Sequence, residues 1–315
     1  MKPGVLALAA LTLVLAAPTA PAQLQPKLGR AKVEKTDPPP LRLHTPTRAT
    51  VDAAGHLLVT DYRLRRVCRV GSDGCTIIGG FKVSGLPTAI GAVDTRVFVG
   101  LEDARRVAIH APGGLELGTL GGAGFEVGDP RDLVIDPQLQ RLYVVDGLAK
   151  EVKVFDISTP EGTLVGTIGG PGTASSTFQH PTGITLDPVA QEVLVSDFGP
   201  MAAGADPRVI VFGVDGSYRG YISGDGGPTG QWFGRPQGLA IGPSGHLFVV
   251  DSWRGEVIVM DRVTGDGVAN IGGYGKKPGQ MRLPLDVVMH GPDQDLWVTS
   301  ASNRRVQKYP AGGQL

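Results

Sequence analysis

Apolar positions along the chain fall in short runs, each closed by Gly, Pro, Asp or Ser. Residues 235–260 show the unit: Leu239–Ile241, the turn Gly242-Pro243-Ser244-Gly245, and Leu247-Phe248-Val249-Val250 stopped by Asp251. A loop then leads to Val257-Ile258-Val259-Met260. Runs of this length, rich in β-branched residues and bounded by turn formers, predict strands rather than helices.

The unit recurs. Its opening proline returns at Pro46, Pro87, Pro130, Pro181, Pro236 and Pro284, and the residue closing the second run at Asp61, Leu101, Asp146, Asp197, Asp251 and Ser300. The intervals are 15, 14, 16, 16, 15 and 16 positions. Six residues later a valine opens a third run in five copies (Val67, Val107, Val152, Val257 and Val306), while an insertion around Gly199–Asp206 delays it to Val209 in the fourth. A fourth run ends in a glycine pair, as in Ile168-Gly169-Gly170 and Ile271-Gly272-Gly273. Four short strands per unit, repeated about every 40 to 55 residues, predict an all-β, six-bladed β-propeller with four antiparallel strands per blade.

The motifs resemble those of the NHL-repeat β-propellers over about residues 44–310. They are Gly230-Gln231-Trp232-Phe233-Gly234-Arg235-Pro236, Gly279-Gln280-Met281-Arg282-Leu283-Pro284, Arg141-Leu142-Tyr143-Val144-Val145-Asp146 and Asn303-Arg304-Arg305-Val306. The resemblance implies fold; the scaffold hosts lyases, receptors and binding modules alike.

Outside the repeats, Met1-Lys2, the apolar run Val5–Ala17 and Ala20-Pro21-Ala22 read as a signal peptide over residues 1–22. The run is short of the ~20 apolar residues a membrane span needs. The expectation is a secreted or periplasmic monomer without membrane insertion, resembling exported bacterial-type members. Residues 23–43 are polar and proline-rich, a linker before the propeller of residues 44–315. The sixth unit stops at Ala311-Gly312-Gly313-Gln314-Leu315 where its fourth strand should begin. Arg30–Lys35 is expected to supply that strand, since an unpaired edge invites aggregation.

Thirty basic residues balance thirty acidic ones, and loss of Lys2 with the leader leaves 29 against 30. Such a chain has no global field for nucleic acid, which also argues against RNA binding. In an exported protein the two cysteines, Cys68 and Cys75, are expected to face each other as a local disulfide.

Alternation along the inner strands predicts three rings facing the central channel. The middle ring (Thr50, Gly91, Val134, Thr185, Ala240, Val288) is small and has no acid or base. Towards the prolines, Arg48, Asp132 and Asp286 stand out, with Arg48 and Asp286 expected to pair at the rim on ring closure. At the opposite mouth Asp52, Asp136, Asp187 and His290 are weak candidates for calcium or another divalent cation. Turn capping is the better use of Asp136-Pro137 and Asp187-Pro188. The strand-closing Asp61, Asp146, Asp197 and Asp251 are expected to accept backbone N–H groups. Arg63, Arg65, Arg105 and Arg304 fall on consecutive blades of the proline-side face, together with Tyr62, Phe198, Trp232 and Trp253. The runs Gly121–Gly124 and Gly224–Gly227 precede no helix and are not phosphate loops.

Two functions follow. The first is a non-catalytic, cofactor-free scaffold presenting the arginine-bearing face to a protein, glycan or other anionic partner. The alternative is a metal-dependent propeller hydrolase or lyase with its site at a channel mouth. Of six histidines only His290 falls on a channel position, and neither Asn270 nor Asn303 lies on an inner strand. That departs from the ligand sets of propeller lyases and lactonases.

Overall fold

The computed structural model describes residues 42–71, 76–199, 206–223, 233–291 and 293–310. They form six antiparallel sheets, five of four strands and one of three, each with its strands side by side in chain order. No helix occurs among the described residues. The six repeats are the six blades of a β-propeller.

Each blade starts at its proline. The inner strands are Pro46–Val51, Pro87–Val93, Pro130–Asp136, Pro181–Asp187, Pro236–Ile241 and Pro284–His290. Proline suits the first position of an edge strand, where a missing N–H breaks no ladder. Blade five continues through His246–Asp251, Glu256–Asp261 and Gly267–Gly272. Its strands outrun the apolar runs because polar ends also pair, as His246 does with Asp261. In every blade the ladder between the first two strands slips by a residue just after the proline. Such a bulge frees backbone groups and re-aims the side chains beside it.

Six apolar clusters fill the spaces between neighbouring blades. Phe98 and Ile109 of blade two pack with Leu133, Leu142 and Phe155 of blade three. Leu57, Val59 and Cys68 of blade one pack with Trp297 and Val306 of blade six, which closes the ring. Burial of this kind contributes roughly 25 cal/mol per Å² of apolar surface.

One expectation changes, and two others reach residues outside those described. The inner strands do not alternate between channel and core: Ile90, Leu133, Ile184, Leu239 and Val287 belong to interblade clusters yet also line the channel. A blade stands edge-on to the axis, so both faces of its inner strand meet other blades and side chains of both parities border the pore. The ladder sets Cys68 opposite Gly80, and Gly71 N–H donates to Thr76 O (2.8 Å) across the hairpin end. Cys75 lies outside the described residues; buried Cys68 forms no disulfide among them, and burial pushes its thiol up to about 12. Finally, blade six has three described strands, Pro284–His290, Asp295–Ser300 and Arg305–Tyr309. The expected fourth, Arg30–Lys35, and the leader lie outside the described residues.

Candidate functional site

The bulge after each proline shapes the proline-side end of the channel. Two residues past their prolines stand Arg48 of blade one, Asp132 of blade three and Asp286 of blade six, each only 5% exposed. Arg48 reaches across the pore. Its Nη2 donates to Thr182 O of blade four (2.6 Å), Nε to Arg131 O of blade three (3.1 Å) and Nη1 to Leu285 O of blade six (2.8 Å). The same Nη1 is 3.5 Å from Asp132 Oδ2 and from Asp286 Oδ1. Each carboxylate also accepts from the blade that follows its own: Asp132 Oδ2 from Ile184 N–H (3.1 Å) and Asp286 Oδ2 from Ala49 N–H (2.8 Å).

The expected rim pair is therefore a buried clamp, and Asp132, directly across the ring, is part of it. Burial pushes Asp286 up to about 7, with the neighbouring Asp132 charge adding and Arg48 opposing. Burial raises Asp132 as well, against Arg48. Blades four and five carry glycine at this position for a steric reason. A Cβ on Gly183 would sit 2.1 Å from Gln237 O, and one on Gly238 2.2 Å from Asp286 Oδ1.

Beyond the clamp the channel widens into a cavity of about 300 Å³. All six middle-ring residues line it, as the sequence predicts, together with aliphatic side chains such as Ile90, Leu239 and Met289. Its ionisable lining residues are Asp132 and Asp286.

At the opposite mouth the carboxylates cap turns. Asp136 Oδ1 accepts from Gln138 and Leu139 N–H (2.9 and 3.0 Å), and Asp187 Oδ1 from Val189 and Ala190 N–H (both 2.9 Å). Asp187 also pairs with Arg262 (2.9 Å), and Asp52 with His56 (3.2 Å). His290 sits against the Trp297 ring (5.8 Å between centroids), where burial and Lys308 lower its pKa. No group of three or more His, Cys, Asp or Glu side chains converges among the described residues.

The strand-closing aspartates are structural, and they bind both the following loop and the loop leading into their own blade. Asp251 accepts from Arg235 N–H before the strand and from Trp253 and Arg254 N–H after it. Asp146 does the same for Gly128, Asp129, Leu148 and Ala149. Blade two has Leu101 at this position, and Asp103 takes over by accepting from Leu86 N–H (2.7 Å). In blade six Ser300 Oγ serves Arg282 N–H (3.2 Å). Sequence reasoning missed a second stitch: Thr47, Thr88 and Thr182 donate to the proline carbonyl of the next blade at 3.2, 2.6 and 3.0 Å. A threonine following the proline in three of six repeats was the available signal.

On the proline-side face Arg65 pairs with Asp103 (3.1 Å), Arg105 with Glu126 (3.2 Å), and Tyr62 OH donates to Glu102 (2.9 Å). The arginine sector is thus a mixed-charge network. Exposed Arg63 and Arg304 have no ion-pair partner among the described residues. Phe198 offers no stacking face: it is buried, with the His180 ring parallel on one side (4.9 Å) and the Arg235 guanidinium 4.8 Å from its centroid. Trp232 lies outside the described residues. Trp253 is 62% exposed, and the same face carries exposed Leu148 and Tyr274, which the sequence reading passed over.

The profile of the family described as NHL repeat matches residues 233–260, the core of blade five. The chain is a β-propeller that carries an NHL repeat. The chain is 29% identical over 166 residues to the human E3 ubiquitin-protein ligase NHLRC1; the match spans 52% of this chain and only 38% of that protein. Among solved structures it resembles the gluconolactonase XC5397 of Xanthomonas campestris (TM-score 0.63, 17% identity, 85% of this chain and 86% of that one). It also resembles hydrazine synthase of Kuenenia stuttgartiensis (TM-score 0.60, 14% identity, 88% and 79%). A chain of the nidogen/laminin complex is similar too (TM-score 0.57, 15% identity, 80% and 96%). Likeness at these identities carries the fold and no activity.

Proposed function

We propose that this propeller is an exported, non-catalytic scaffold whose proline-side loop face binds a protein partner. The observation that carries the reading is the composition of that face around a closed pore. Trp253, Tyr274 and Leu148 stand exposed on the same loop face as Arg63 and Arg304, while Arg48 reaches across the channel beneath that face. Tryptophan, tyrosine and arginine dominate the energetics of protein interfaces because they combine large contact area with a polar handle. The curated relative, a ubiquitin-protein ligase, acts on proteins, which supports a protein partner over a glycan. A catalytic reading through the opposite mouth has less support, because Asp136 and Asp187 are engaged in their own turns.

The test is crosslinking in the native envelope with the wild type and with a Trp253→Ala/Arg63→Glu/Arg304→Glu variant. The expected result is a discrete crosslinked partner whose yield falls at least about tenfold in the variant, the size of one or two lost hot spots. Equal yields from both proteins would move the binding surface elsewhere.

A further inference from the structure

The channel cavity has a charge deficit at its closed end. The guanidinium of Arg48 makes its short hydrogen bonds to three carbonyl oxygens, at 2.6, 2.8 and 3.1 Å. Asp132 and Asp286 receive only 3.5 Å approaches from it. One cation thus faces two carboxylates, all three groups withdrawn from water, and a buried uncompensated charge is costly. Both carboxylates border the cavity, whose walls are otherwise aliphatic apart from Thr50 and Thr185. A volume of about 300 Å³ is enough for a small ligand.

We propose that the closed end of this channel is a binding site for a small primary ammonium ion with a short aliphatic body, held by Asp132 and Asp286. Charge selects the class. With both carboxylates ionised the clamp carries one net negative charge, so a monocation brings the site to neutrality and a divalent metal ion would overshoot it. The geometry selects further. An N–H donor is needed to reach the carboxylate oxygens, which a quaternary ammonium lacks, and the walls of Ile90, Leu133, Ile184, Leu239 and Val287 favour a hydrocarbon tail over a bare hydrated ion. The charged groups facing Asp286 are Asp132 from blade three and Arg48 from blade one.

In the empty site a proton on Asp286 plays the part of the missing cation, since burial holds that carboxyl near 7. Arrival of the ammonium ion expels this proton to solvent: R–NH3⁺ enters, Asp286 goes from COOH to COO⁻, and one H⁺ leaves. Binding therefore tightens as pH rises towards 7 and levels off above it.

The experiment is titration calorimetry of the full propeller with n-butylammonium chloride at about pH 6 and about pH 8.5, in buffers of differing ionisation enthalpy. The expected result is one saturable site, close to one proton released at the lower pH and few at the higher. Calcium and tetramethylammonium should give no saturable heat. Ala240→Phe, which fills the cavity away from the clamp, should abolish binding with the fold retained by circular dichroism. Asp286→Asn should weaken it at least tenfold and remove the proton release. No saturable heat from butylammonium, equal binding by calcium, or binding undiminished in a folded Ala240→Phe protein would each overturn the proposal.

Discussion

Arg48 is the residue on which the inner end of the propeller turns, and its environment makes a pH dependence. The folded pKa of Asp286, about 7, lies above the ordinary 3.8, so the native state holds a proton that the unfolded chain gives up. The stability contributed in this way is full below about pH 4 and is lost as pH rises through about 7. Urea midpoints of the wild type should therefore fall, relative to Asp286→Asn, between about pH 5 and pH 8. Parallel pH profiles for the two proteins would place the proton elsewhere. Repeat alignment was enough to put Arg48 beside Asp286, because position after the proline is fixed by register. The reach of Arg48 to blades three and four was not legible. It depends on bulges that turn carbonyls towards the axis, and a bulge leaves no mark in the hydrophobic pattern. Phe198 failed as a stacking residue for a related reason: nothing in its own segment announces that His180 and Arg235, from two other loops, close over it.

At the scale of strands, the blades are joined by polar stitches as well as apolar clusters. The hydroxyls of Thr47, Thr88 and Thr182 bridge adjacent inner strands, and Ser196 Oγ donates to Gln237 O (2.6 Å) between blades four and five. These contacts require close approach, which is why Gly183 lies against the backbone of Gln237. Gly183→Ala should force the two strands apart and lower stability by about 2–4 kcal/mol, read as a shift in the denaturation midpoint. An unperturbed midpoint would mean that the strands relax freely at this point. The strands themselves were legible almost throughout, since a run of apolar residues between a proline and an aspartate has few other uses. What the pattern obscured was the direction of the inner-strand side chains. Strict alternation holds for a sheet with one wet and one dry face, and a blade packed on both sides has neither. The partner opposite Cys68 was not legible either: the ladder of these two strands runs to Val70 and Ile77 and sets Gly80 there, while Cys75 lies outside the described residues.

For the molecule as a whole, the count of six and the closure of first blade on last were readable from the repeats. Leu285 and Asp286 of blade six meet Arg48 and Ala49 of blade one, and Thr299 Oγ1 donates to Thr47 O (2.8 Å). Blade six is the exception in its outer half: among the described residues, Arg305–Tyr309 pairs only with the strand before it. We expect Arg30–Lys35 to complete it. Deleting residues 23–40 should lower the melting temperature by at least several degrees, and an unchanged melt would remove that segment from the fold. The clamp also changes what kind of vessel the pore is. With a guanidinium wedged from wall to wall at one end, it is a cup with a single lip rather than a tube. A solute that enters must leave by the way it came, past the turns that Asp136 and Asp187 cap.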